Sequence, residues 1–232
     1  MKTVIDRANT RGHADYGWLN TWHTFSFADY YNPQRIHFGA LRVLNDDTVT
    51  PGMGFDTHPH KNMEVISIPL KGYLRHGDSL EHSEVISPGD IQVMSTGSGI
   101  YHSEFNDSKT ENLEFWVIPR VNNTKPVYKS YDIRQVDMKN RFGYIVAPDG
   151  TAPGGILQDA WFALGKLEKG KKIGYHLHQK NTGVYCFVIE GEICIEGTDL
   201  SRRDGMGITE TDHFQVEARS EAYVLLIEVA MI

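Results

Sequence analysis

The feature that most constrains this chain is that it repeats itself. The stretch HPHKNMEVISIPLKG at 58–72 returns in altered form as HLHQKNTGVYCFVIEG at 176–191. The two His-x-His pairs lie 118 residues apart and Gly72 and Gly191 lie 119 apart, about half of the 232-residue chain. SPGDIQVM at 87–94 is matched roughly by RDGMGITE at 203–210. Self-similarity at this spacing calls for two units of one architecture, each long enough to bury its own core. The boundary is expected in the polar segment RVNNTKPVYKSYDIRQVD, giving domains 1–122 and 123–232.

Those units read as β structure. HFGALRVLND, MEVISIPLKGYLRH, SEVISPGDIQVM, ENLEFWVIP, WFALGKLEKG, GVYCFVIEGEICIEG and EAYVLLIEVAMI are short apolar or alternating runs closed by Gly, Pro, Asn or Asp. No long stretch has helical period. The pattern predicts an all-β protein of sandwich or barrel type with few short helices.

Composition removes several functional classes. A net charge of −7 without a basic run argues against a groove that tracks phosphates, so no direct nucleic-acid contact is expected. No stretch approaches the roughly 20 apolar residues of a membrane span. The N-terminus MKTVIDRANTRGHADYG has no apolar run after its charges, so a cytoplasmic protein without a signal peptide is expected. Cys186 and Cys194 flank the Glu190-Gly191 turn, where a hairpin would face them; in a reducing compartment they read as two small core residues.

Eleven histidines are unevenly placed. Side chains alternate along a strand, so in a regular strand His58, His60, Asn62 and Glu64 share one face. Downstream, His102 and Glu104 are again two apart, behind the glycine-rich turn at Gly97 and Gly99. If the two strands are neighbours, three imidazoles and a carboxylate converge. Such an N₃O set with open positions suits Fe(II), Ni, Co, Mn or Cu(II) better than a closed thiolate zinc site. Of the remaining histidines, His23 and His76 are the ones whose segments could approach such a site, although His23 reads first as a hydrogen-bonded strand residue. Met53, Phe55, Met63 and Met94 are core or cavity-lining candidates.

These residues resemble the cupin pattern. Gly52, His58, His60, Glu64 and Gly72 follow its first motif with one extra residue before Gly72. Gly89, Gly97, His102 and Asn106 follow the second, with Ser95 in place of the proline and two extra residues before the histidine. RGHADYGWLNTWHTFSFADYYNP, LRVLNDD, GFDTHPHKNMEVI, HGDS and GDIQVMSTGSGIYHSEFN together resemble the pirin family of two-cupin proteins over residues 10–118, the second half only in outline. The resemblance implies two cupin barrels packed together and one metal in the N-terminal barrel. Its ligands fall on His58, His60, His102 and Glu104, leaving Glu64 as a core-facing partner that orients a histidine. Aligning Gly89 with Gly207 sets Ser220 opposite His102 and leaves His213 seven positions out of register. His176 and His178 are thus left without partners, and a metal-free second barrel is expected.

The chemistry implied is that of the pirin-like quercetin 2,3-dioxygenases. A flavonol loses its 3-hydroxyl proton to Glu104 as base, O₂ adds across the heterocycle, and carbon monoxide leaves. Fe(II) is expected first among the divalent metals, with Ni, Co, Mn, Cu or Zn as alternatives. The competing expectation is a non-catalytic, redox-sensing regulatory protein that binds a protein partner; a metal-bound isomerase or hydrolase is a third. A small phenolic substrate and a monomer are expected.

Overall fold

The computed structural model describes residues 1–106 and 108–232. Strands follow one another throughout, and among the described residues the one helical element is the 3₁₀ turn Ala8–Thr10. No helix of the described residues is long and apolar enough to cross a membrane.

The first unit comprises Gly12–Arg134 with Gly154–Gln158. Its larger sheet runs in the order Val127–Asp132, Asp90–Ser95, Glu64–Lys71, Thr110–Val117, Leu41–Val49, Leu19–His23 and Gly12–Asp15. A four-stranded sheet, Gly54–His60, Ile100–Phe105, Leu74–Asp78 and Ser83–Ile86, completes the barrel. All these pairings are antiparallel. Val65, Met94, Ile100 and Tyr128 form a compact core, with Met63 and Trp116 packed on it.

The second unit comprises Met1–Arg11, Gln135–Pro153 and Asp159–Ile232. It repeats the strand order of the first, its own residues supplying six strands of the larger sheet. Lys2–Asp6, Gly205–Thr209, Thr182–Glu190, Ala222–Ala230, Ala160–Leu167 and Gly143–Ala147 make the larger sheet. Lys172–His176, His213–Ala218, Glu192–Ile195 and Thr198–Ser201 make the smaller. Cys186 and Cys194 are free and buried, and burial pushes the Cys186 thiol above its ordinary range.

The boundary therefore differs from the expected 122/123. Part of the presumed linker is Val127–Asp132, an edge strand paired along its length with Asp90–Ser95 in the first barrel. The matching edge of the second barrel is filled from the N-terminus of the chain, where Lys2–Asp6 pairs with Gly205–Thr209. Asp6 accepts a hydrogen bond from Tyr185 at 2.8 Å, and Arg7 pairs with Asp204 at 2.7 Å, which ties that strand down. Linker-like composition is real only over 120–126; beyond it the chain alternates as a strand does.

The glycines of the repeat have a common cause. Gly72 and Gly191 have φ of 76° and 82°, and a Cβ there would meet the carbonyl of Lys109 at 2.4 Å and of Glu221 at 2.1 Å. Both left-handed backbone and close approach exclude a side chain.

Candidate metal centre

His58 and His60 lie on Gly54–His60, and His102 and Glu104 on Ile100–Phe105. The two strands are antiparallel neighbours with His102 directly opposite His58 and Ile100 opposite His60. A bulge follows, so that Glu104 faces Phe55 rather than a residue one step nearer. The three imidazoles close into a triangle, with ring centroids 4.9 Å apart for His58–His60, 4.4 Å for His58–His102 and 4.8 Å for His60–His102. One ring nitrogen from each lies within 4.8 Å of the other two.

The protonation pattern presents lone pairs toward that centre. Nδ1–H of His58 donates to the Asp56 carbonyl at 2.8 Å, which leaves its Nε2 bare. That Nε2 is 3.0 Å from Nε2 of His102. Nε2 of His60 is buried with no hydrogen-bond partner. Burial and then the neighbouring rings lower His60 to about 4 and His102 to about 2, so both are neutral at physiological pH. Neutral imidazoles converging around an orphaned buried nitrogen leave polar groups unsatisfied unless a cation sits among them. The residues fit a divalent ion.

Glu104 stands beside His102 in a separate grouping. With His102 and His76 it forms a second triple whose ligand atoms lie within 4.8 Å of one another. Its carboxylate accepts a short hydrogen bond from Gln92, whose amide also donates to Ser67 at 3.0 Å and whose carbonyl accepts from Tyr128 at 3.3 Å. Burial, with Glu114 nearby, raises Glu104 to about 8. His76 is fully buried, stacked on Tyr128 at 3.9 Å and hydrogen-bonded through Nε2 to Asp78 at 2.9 Å. Its segment does reach the site, as the sequence suggested.

Asn62 and Glu64 do not share the face of His58 and His60. Asn62 has φ 51°, which ends the strand after His60, and Glu64 opens the next strand in the larger sheet. The Glu64 carboxylate accepts from Ser95 at 2.7 Å and from the backbone N–H groups of Leu157 and Gln158, each at 3.0 Å. It faces the core, but the group that orients His58 is the Asp56 carbonyl.

A cavity of about 420 Å³ opens on the triad. Trp18, Phe27, Phe55 and Trp116 line it, as do Glu104, Glu114, Asp47, Asn45 and His23. Of the apolar candidates Phe55 lines the cavity, Met94 is core, Met63 packs against the core, and Met53 is exposed.

Residues 4–118 match the family model described as Pirin, and residues 144–229 match the one described as Quercetinase C-terminal cupin domain. The chain is 39% identical over 228 residues to a quercetin 2,3-dioxygenase of Escherichia coli (strain K12), covering 97% of each protein. It is 34% identical to a pirin-like protein of Caulobacter vibrioides, covering 98% of this chain and 100% of that one. The chain belongs to the pirin family. Among solved structures, the bacterial pirin YhhW from Escherichia coli in complex with nickel(II) superposes with a TM-score of 0.93 at 34% identity, over 100% of both chains.

The two barrels of this pirin differ inside. Glu104 faces His76 across the first barrel's small sheet, and the matching pair in the second is Val216 and Ile195. Carrying that register along the strands, His58, His60 and His102 correspond to Tyr175, Leu177 and Phe214, with Tyr175 directly opposite Phe214. The repeat as read from sequence is thus one residue out here. His213 lies one position, not seven, from the place of His102; it is the cross-strand partner of His176 with stacked rings 5.6 Å apart, but both are exposed. Nor is His178 without a partner. Its Nδ1 is 2.7 Å from Glu228, a buried carboxylate that also accepts from Tyr175 and Thr182.

Asp47 and Glu114 stand at no ligand spacing in the sequence. The available signal was the repeat. In the same ladder Asp47 corresponds to Gly165 and Glu114 to Leu226. A barrel of this plan needs no acid at either position.

Proposed function

We propose that this pirin is a metal-dependent dioxygenase that opens the heterocycle of a flavonol of the quercetin type. The reading is supported above all by one arrangement: a triangle of three imidazoles with Glu104 beside His102, opening through His58 and His60 on a cavity walled by aromatic rings. Its volume lies in the range of small-molecule sites. The curated relatives that carry the name quercetin 2,3-dioxygenase point the same way.

His58, His60 and His102 hold the ion through ring nitrogens, and Glu104 completes the set. The ion is a divalent transition metal, Fe(II) in this reading; the same donors suit the nickel(II) found with the E. coli relative. When bound, it acidifies a coordinated hydroxyl and lets an electron-rich substrate react with O₂. Trp18, Phe27, Phe55 and Trp116 orient a flat ring system and exclude water. Glu104 takes the proton of the 3-hydroxyl group, and Gln92 holds its carboxylate in place. Dioxygen supplies two oxygen atoms to the opened product, and the carbon that bore the hydroxyl leaves as carbon monoxide.

The test is metal analysis of protein purified without a chelating tag, followed by anaerobic addition of quercetin and then O₂. The expected result is a shifted flavonol spectrum, then one CO released per quercetin consumed. A fully metal-loaded protein that leaves the spectrum unchanged would eliminate the dioxygenase reading in favour of a binding role.

A further inference from the structure

The cavity has a second polar wall that metal binding leaves unexplained. Asp47, on Leu41–Val49, is 3% exposed, and its Oδ1 has no hydrogen-bond partner although the residue lines the cavity. Glu114, on the adjacent strand Thr110–Val117, faces Asn45 and accepts from the indole N–H of Trp116. Asn45 and Asp47 point to one face of their strand, so Asp47 and Glu114 are diagonal neighbours across the ladder. The second barrel builds the same ladder with Gly165, Ala163 and Leu226 where the first has Asp47, Asn45 and Glu114. The fold does not call for the acids. Burying a carboxylate with an unused oxygen is unfavourable, and such a group is explained when a ligand supplies the missing donor.

We propose that Asp47 and Glu114 form a recognition site for the hydroxyl groups of an uncharged, vicinally hydroxylated aromatic ring. Ring hydroxyls donate to the two carboxyl groups while Trp18 and Phe27 cover the ring faces. Among the described residues lining the cavity none is Lys or Arg, so at this wall, away from the ion, a ligand bearing its own carboxylate meets acids and no cationic side chain. The inference rests on the phenolic-substrate reading above but concerns a different wall of the cavity, which allows the two to be tested apart.

The experiment is equilibrium binding to the metal-loaded full chain without O₂, read by quenching of tryptophan fluorescence. The probes are 4-methylcatechol, its dimethyl ether and 3,4-dihydroxybenzoate, with quercetin run in parallel. Wild-type protein should prefer 4-methylcatechol over both relatives by about tenfold or more, the worth of one charge-assisted hydrogen bond. Asp47→Asn and Glu114→Gln should each cut that preference to less than about threefold while metal content and affinity for the dimethyl ether stay as in wild type. Using both variants guards against one that fails to fold. Equal binding of catechol and ether, tight binding of the benzoate, or a preference that survives both substitutions would overturn the assignment. A catechol preference lost in the variants, in a protein that neither binds nor consumes quercetin, would uphold the acid wall and dispose of the flavonol reading alone.

Discussion

His102 is the residue on which the candidate site turns, since it belongs to both triples that could hold an ion. His102→Ala is expected to lower metal affinity by at least about a hundredfold, measured by competition with a chromophoric chelator, with the barrel still folded by circular dichroism. His76→Ala, which removes the ring packed beside His102, should cost about tenfold by the same assay. Protonation makes a further prediction. Glu104 keeps its proton to about pH 8 in the metal-free protein, against 4.5 for an ordinary glutamate. Its contribution to metal-free stability is complete below 4.5 and gone once pH rises through 8. His60 and His102 act oppositely: their contributions are present above 6.5 and are lost as pH falls toward 4 and 2 respectively. Thermal melting of metal-free protein should therefore weaken on both sides of a maximum near neutrality, and Glu104→Gln should flatten the alkaline side. Metal loading at pH 7 should release about one proton from Glu104, detectable by calorimetry in buffers of different ionisation enthalpy.

At the scale of elements, the site depends on register. His58 and His102 meet because they are direct cross-strand partners, and the bulge after His102 re-aims Glu104. The turn that delivers the His102 strand carries Gly97, at φ 45°, where a Cβ would meet the Thr124 carbonyl at 2.1 Å. Gly97→Ala is expected to destabilise by about 1–3 kcal/mol in urea titrations, and to weaken metal binding as the strand shifts. Sequence alternation pairs His58 with His60 and His102 with Glu104, and the two strands are indeed neighbours, but it extends the first strand too far. Asn62 at positive φ ended it, and Glu64 was carried into another sheet.

At the scale of the molecule, each barrel takes its edge strand from an unexpected part of the chain. Val127–Asp132 closes the first, and Lys2–Asp6 the second. A fragment 123–232 should therefore be poorly folded, because it lacks the strand that covers Gly205–Thr209 and exposes that edge. Residues 1–11 joined by a flexible linker to 135–232 should fold cooperatively, as judged by dispersion of amide resonances; equal behaviour of the two fragments would contradict this account. The expected boundary failed because Asn-Asn-Thr-Lys-Pro is a turn inside the first barrel, and composition cannot tell a turn from a linker.

The sequence by itself determined that the chain is β, that it is duplicated, and which side chains were available to bind a metal, because these follow from local alternation, turn residues and spacing. Which face each residue occupies was decided by the tertiary structure. Strand side chains have a period of two, so one residue of slip inverts them all. That is why the His176 pair faces solvent while Tyr175 and Phe214 fill the corresponding interior. The acids Asp47 and Glu114 are brought into one cavity with His58 and His60 by pairings between strands far apart in the chain, and no local pattern records such pairings.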